Sequence, residues 1–247
     1  MTQPVIEAGD ITSSNNETSE TSQLVSYPAY EIGDLLIQFY MGDDDIDDTI
    51  TPPGNGGNGE TLILTTSGSG GNSTNGPVSG IVAWVGDASK IPGTLEWTRG
   101  AAEQWAGRCV KVLAGEFDPT TPLAVVSGYD GSPIATTDCA TPTWAIGAGD
   151  AGGTVVVGFC IDIQPITVTP GGWTLLVHAD HGAIASAVAV RDAATSASET
   201  IASVDFTIAA NRTSSTIAVV VRPPAAGGAN PKGPLGMPLH GPFGGPI

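Results

Sequence analysis

The pattern of apolar and polar positions carries an echo. Gly33-Asp34-Leu35-Leu36-Ile37-Gln38-Phe39 is repeated in character by Gly153-Thr154-Val155-Val156-Val157-Gly158-Phe159. A loop and Thr51-Pro52-Pro53-Gly54 follow the first copy; a shorter loop and Thr169-Pro170-Gly171-Gly172 follow the second. Both apolar runs are continuous rather than alternating, which predicts central strands covered on both faces, where two units or neighbouring subunits pack. Leu95-Glu96-Trp97-Thr98 and Val204-Asp205-Phe206-Thr207 alternate instead and predict strands with one wet face.

Further segments keep their order in both halves. Trp84-Val85-Gly86-Asp87-Ala88 answers to Ala189-Val190-Arg191-Asp192-Ala193, and the closing strand Cys109–Leu113 answers to Ile217–Val221. Asp118-Pro119-Thr120-Thr121-Pro122 forms the junction. The polar run after Pro4-Val5-Ile6 resembles a disordered arm when read alone, but its counterpart after Thr121-Pro122-Leu123 places it inside the first unit. About seven short strands per unit are expected, the size of a β-sandwich.

The expected fold is therefore all-β: two tandem, internally duplicated antiparallel β-sandwich domains of jelly-roll type, 1–118 and 119–223, followed by an extended Gly/Pro-rich tail, 224–247. Within that tail Pro234, Pro238, Pro242 and Pro246 recur every fourth residue, each followed by an apolar residue: Leu235, Leu239, Phe243 and Ile247. Such a segment lacks a backbone donor at each proline and has no apolar surface of its own to fold against. It reads as an assembly tether whose four apolar residues act as pegs into a partner or a sister subunit.

Composition agrees with this pattern: 34 Gly and 19 Pro in 247 residues suit many strands joined by tight turns. The net charge of −17 is uneven, with thirteen of 25 acids and none of eight bases in residues 1–89. That field repels phosphate backbones and anionic lipid, so neither nucleic acid nor membrane is an expected partner. Met1-Thr2-Gln3-Pro4 has neither the basic nor the apolar region of a signal peptide, and the chain is expected to be made in a cytosol. Cys109, Cys139 and Cys160 lack disulfide or metal spacing and are expected as small buried apolar residues.

Candidate chemistry is sparse. Asp43-Asp44-Asp45-Ile46-Asp47-Asp48 could offer Ca²⁺ its oxygen ligands but lacks EF-hand spacing, so a solvated loop that discourages strand pairing is the favoured reading. His178-Ala179-Asp180-His181, near Ser186, has hydrolase residue types without a Gly-x-Ser-x-Gly elbow, and is expected as a surface turn. Glu96 and Glu103 beside Trp97 and Trp105 could form a carboxylate pair or a sugar-stacking platform, although the match of Trp97 to Phe206 argues for a core position. Loops at 54–59 and 67–77 flank a strand at 61–65 and are absent from the second half. No cofactor fingerprint occurs, and no catalytic, cofactor or metal residue is assigned.

Pro-Ala-x-x-x-Gly-Asp-Leu-Leu-Ile at 28–37, Thr-Pro-Pro-Gly at 51–54, Asp-Pro-Thr-Thr-Pro-Leu at 118–123, Thr-Pro-Gly-Gly-Trp-Thr at 169–174 and Ile-Ala-Val-Val-Val-Arg-Pro at 217–223 occur in that order. Together they resemble a diffuse group of virion-associated β-sandwich proteins of tailed bacteriophages. That family often has Gly-Trp-Thr after the first Pro-Pro, where this chain has Gly54-Asn55-Gly56. The resemblance implies a non-enzymatic structural component exposed on a virus particle, with the major capsid protein, tail proteins and copies of itself as partners. A capsid decoration protein held by its tail is the leading expectation. A tail-fibre protein reading host glycan through the first unit's loops and exposed tryptophan is the second, and an extracellular filament subunit the third.

Overall fold

The computed structural model describes residues 3–6, 11–43, 50–69, 77–126, 132–162, 164–181 and 184–225. The chain is all-β and antiparallel; the helix content among these residues is one 3₁₀ turn, Ala148–Asp150. The first sheet contains β1 (Ile11–Tyr27), β2 (Leu35–Gly42), β3 (Ile50–Thr51), β4 (Leu62–Ser69), β5 (Val78–Val85) and β6 (Gly93–Val112), in the order β1-β6-β2-β5-β4 with β3 on β6. The second contains β7 (Leu123–Val126), β8 (Ser132–Ala140), β10 (Thr154–Asp162), β11 (Ile166–Val168), β12 (Trp173–His181), β13 (Ile184–Arg191) and β15 (Asp205–Val221). Its order is β11-β15-β10-β13-β12, with β7 and β8 on β15; β9 (Trp144–Ala145) and β14 (Thr200–Ile201) form a small separate pair. The strand order is the same in both sheets once β7 and β8 are taken together as the counterpart of β1.

Long bent strands, rather than the expected short ones, build each layer. The segments anticipated at 95–98 and 109–113 fall, up to Val112, in the single strand β6, and those at 204–207 and 217–221 fall, from Asp205, in β15. The polar run after residue 11 is β1, paired with β6 along its length and broken in register around Glu20. Irregular pairing bends a strand, and here the bend is sharp. Thr12 Oγ1 donates to the Ser26 carbonyl at 3.1 Å, and the Ser26 amide donates to Ser14 Oγ at 3.0 Å. Twelve extended residues would span about 40 Å, so β1 must fold across itself.

The fold-over brings Trp97 of β6 onto its own sheet. Its ring stacks on Tyr40 of β2 at 5.0 Å and its Nε1 donates to Gln38 Oε1 at 2.8 Å. Across the second sheet Phe206 of β15 packs on Phe159 of β10 at 4.6 Å. The alternation expected at 95–98 holds: Leu95 and Trp97 are buried while Glu96 and Thr98 are exposed.

Three cores result. Val25, Tyr40, Trp84, Trp97 and their neighbours fill the outer side of the first sheet; Val155, Phe159, Trp173, Phe206 and others fill that of the second. The third core lies between the sheets, where Leu35, Ile37, Phe39, Met41, Val110 and Val112 meet Val156, Cys160, Val188, Ile217, Val219 and Val221. All eight residues of β2 are buried because alternate side chains enter different cores. What covers the inner face of each sheet is the other half of the chain.

One feature of the echo is corrected. Gly33 has φ +86° and donates its amide to Gly86 O at 2.7 Å; the residue doing the same in the second half is Gly152, with φ +83°, donating to Thr195 O at 2.7 Å. Gly33 therefore matches Gly152 rather than Gly153, and Tyr40 matches Phe159. A continuous apolar run has no period from which to read register, and a slip of one residue exchanges the two faces.

Two smaller expectations also change. His178-Ala179-Asp180-His181 ends strand β12, with His178 opposite Ala187 and Asp180 opposite Ala185, rather than forming a turn, because pairing with β13 continues to His181–Ile184. Strand β4 runs through Ser69, so it extends past the start expected for the loop at 67–77.

Candidate functional site

The residues expected to carry function, Pro234, Leu235, Pro238, Leu239, Pro242, Phe243, Pro246 and Ile247, lie outside the described residues, but the root of their segment is described. There the last strand, β15, runs into Arg222 and Pro223. The Arg222 amide donates to Pro122 O at 2.8 Å, and its carbonyl accepts the Asp118 amide at 3.0 Å. Its guanidinium pairs Nε with Asp150 Oδ1 at 2.5 Å and donates from Nη1 to Thr121 O at 3.3 Å. Pro223 is buried.

This clamp ties the root to the junction 118–122 and to the turn before β10. Asp118 stiffens the junction by accepting the amides of Thr120 at 2.8 Å and Thr121 at 3.3 Å. Those amides, the Thr121 hydroxyl and the Arg222 charge hold its carboxyl below the ordinary aspartate value. The segment after Pro224 is thus anchored at the end of β15 to the junction between the two halves and to the turn before β10. The pairing is not legible in the sequence: Arg222 stands in the closing Ile-Ala-Val-Val-Val-Arg-Pro segment, but Asp150 lies 72 residues away and no spacing links the two.

The loop between β3 and β4 is the second candidate. Its Gly/Asn composition predicts freedom, yet it closes over a buried polar centre. Tyr30 Oη donates to Glu60 Oε1 at 2.5 Å, the Asn58 amide donates to Glu60 Oε2 at 2.6 Å, and Tyr27 Oη donates to Gly57 O at 2.5 Å. Gly56 lies on the indole of Trp84, where a Cβ would come within 2.7 Å of Cγ. Burial pushes the Glu60 carboxyl upward, but the bonds from Tyr30, from its own amide and from Asn58, with the Lys90 charge, outweigh it and hold the group below its ordinary value.

Above this centre the loop walls an open, mainly polar depression of about 430 Å³ with Thr94, Leu95 and Glu96. Asn55, Asn58 and Glu96 are exposed there. All five tryptophans are buried, so the exposed tryptophan expected for a sugar platform is absent. Glu96 accepts from Ser22 Oγ at 2.5 Å, and Glu103 sits opposite Glu20 across the β1–β6 ladder.

Of the acidic run, Asp43 is described and Asp44 to Asp48 lie outside the described residues. The Asp43 amide donates to Gln104 O at 3.0 Å and its carbonyl accepts Arg99 Nη1. His178 is half-buried, and burial lowers its pKa, with the Asp180 charge opposing and the Arg108 charge assisting. Ser186 accepts Arg108 Nη2 at 2.6 Å and so serves the packing between the sheets. Among the described residues no group of three or more His, Cys, Asp or Glu is placed to hold a metal ion. No protein-family model, curated protein or solved structure matches this chain.

Proposed function

We propose that this chain is a non-enzymatic structural protein of a virion, a decoration or cement protein on the capsid exterior attached through residues 224–247. The carrying observation is the join between two unlike parts. A body closed around three cores ends at the Arg222 clamp, and from that clamp issues a segment with an apolar residue after every fourth-position proline. Proline lowers the entropic cost of ordering an extended segment on a partner, and a contact made only by the assembled shell stabilises that shell. The turn-and-strand resemblance to phage virion proteins and the strongly acidic body support the same reading. In this reading the two halves are tandem jelly-roll units whose acidic sandwiches face outward.

Deletion of 224–247 tests it. The shortened chain should unfold with the cooperativity of the full chain yet be absent from purified particles. Normal incorporation of the shortened chain would rule out the tether.

A second reading draws on the depression beside Glu96. Asn55, Asn58 and the backbone of the glycine-rich loop present donors and acceptors on a loop fixed from beneath, which suits the hydroxyls of a neutral host glycan. A glycan array with the purified chain, together with a test of whether it blocks adsorption, separates the two readings.

A further inference from the structure

The geometry points to a second attachment element: the end of the body that carries the tail root is a docking face, and its occupant is the same shell protein that the tail engages. This inference rests on the proposed function above. Seven large apolar side chains are exposed among the described residues, and four of them lie at this end: Ile91 at 82%, Ile32 at 63%, Val5 at 51% and Leu113 at 46%.

Hydrogen bonds join the turns that carry them. Gly33, beside Ile32, donates to Gly86 O at 2.7 Å, and Tyr30 exchanges backbone bonds of 3.1 and 2.8 Å with Lys90, beside Ile91. The Ala114 amide, next to Leu113, donates to Asp34 Oδ1 at 2.9 Å. The turn from Leu113 leads to Gly115 and Glu116, which form with Gln3, Val5 and Pro224 a cleft of about 230 Å³. A strip therefore runs from Ile91 through Ile32 and Leu113 to Val5 and reaches the residue from which the tail departs.

Isolated exposed apolar residues need no explanation, but several on adjoining turns mark a contact surface. None of the four belongs to any of the three cores or to the partly buried residues packed against them. Position selects the occupant. Twenty-two residues follow Ala225, so a partner gripped by the apolar pegs is held within reach of this end. A second copy docked end to end would bring together two chains of charge −17, which disfavours it. The tail supplies reach and the end face supplies orientation, and the two contacts together bind far more tightly than either alone.

The test uses the full chain and particles assembled without it. Ile32→Asp/Leu113→Asp and Ile91→Asp should reduce the copies bound per particle at limiting concentration by about tenfold or more, the loss expected when apolar anchors are replaced by charge. Leu24→Asp, Ile63→Asp and Val168→Asp, at the exposed apolar positions elsewhere, should bind like the parent chain. Unchanged melting temperatures establish that all variants are folded. Binding of the end-face variants equal to that of the parent overturns the inference while leaving the tail reading intact. Failure of the parent chain itself to bind overturns both. Self-association of the parent in sedimentation, abolished by Ile32→Asp/Leu113→Asp, would make a second copy the occupant and also overturn the inference.

Discussion

Phe39 of β2 packs directly on Gly158 of β10: a Cβ added to Gly158 would lie 2.5 Å from Phe39 Cδ1 and 3.1 Å from Met41 Cε. The two sheets approach this closely because one of them has no side chain at that point. Gly158→Ala should therefore destabilise the whole chain by about 1–3 kcal/mol, through overpacking rather than backbone strain. Denaturant unfolding of Gly158→Ala, Phe39→Leu and the double variant checks it. The double variant should lose less than the sum of the singles, whereas simple additivity would mean the contact is not felt.

Two polar bridges cross the same core. Arg108 Nη2 donates to Ser186 Oγ at 2.6 Å, and Ser79 Oγ donates to Ser215 Oγ at 2.8 Å. Arg108 is fully buried, and burial lowers its pKa to about 10. A bond to a charged group contributes about 1.5–3 kcal/mol and one between neutral groups about 0.5–1.5 kcal/mol. Ser186→Ala should thus cost more than Ser79→Ala in urea unfolding at pH 7, and the reverse order would remove the buried cation from the account.

The clamp on the β3–β4 loop should fail in acid. Because the Glu60 carboxyl is held below 4.5, its contribution is complete above that value and declines as pH falls through the lower folded value. The stability difference between the parent and Glu60→Gln, measured by urea unfolding from pH 7 to pH 3, should be constant at the upper end and shrink below about pH 4.5. A difference that grows in acid would reverse the sign of the shift and sink the argument.

Cys109, Cys139 and Cys160 are free and buried, and burial pushes the thiols of Cys109 and Cys160 well above the usual range. A thiol that is both inaccessible and protonated is unreactive. Ellman's reagent at pH 8 should find no thiol in the folded chain and three after denaturation. Fast labelling of the folded chain would contradict the closed cores.

Much of the architecture was legible in the residues. Alternation at 95–98 reported one wet face; Trp97 and Phe206 matched as core residues; the continuous runs at 35–37 and 155–157 reported strands covered twice. The loop at 54–59 was legible as an insertion but not as a rigid one, because its clamp uses Tyr27 and Tyr30 from a strand end and a turn about thirty residues earlier. The tryptophans considered for glycan stacking, Trp97 and Trp105, are both buried, and Trp97 takes the core position that its match to Phe206 argued for, stacked on Tyr40 and bonded to Gln38.

The sequence alone determined the strand content, the duplication and the Pro-periodic segment, since each is written in local spacing that steric and solvation rules translate directly. The one-residue offset between Gly33 and Gly152, the bending of β1 onto itself, the Phe39–Gly158 contact, the Arg222–Asp150 clamp and the apolar strip from Ile91 to Val5 were decided by tertiary structure. All of them pair residues far apart in the chain, whose meeting depends on how two sheets close over a common core, and no local pattern encodes that distance.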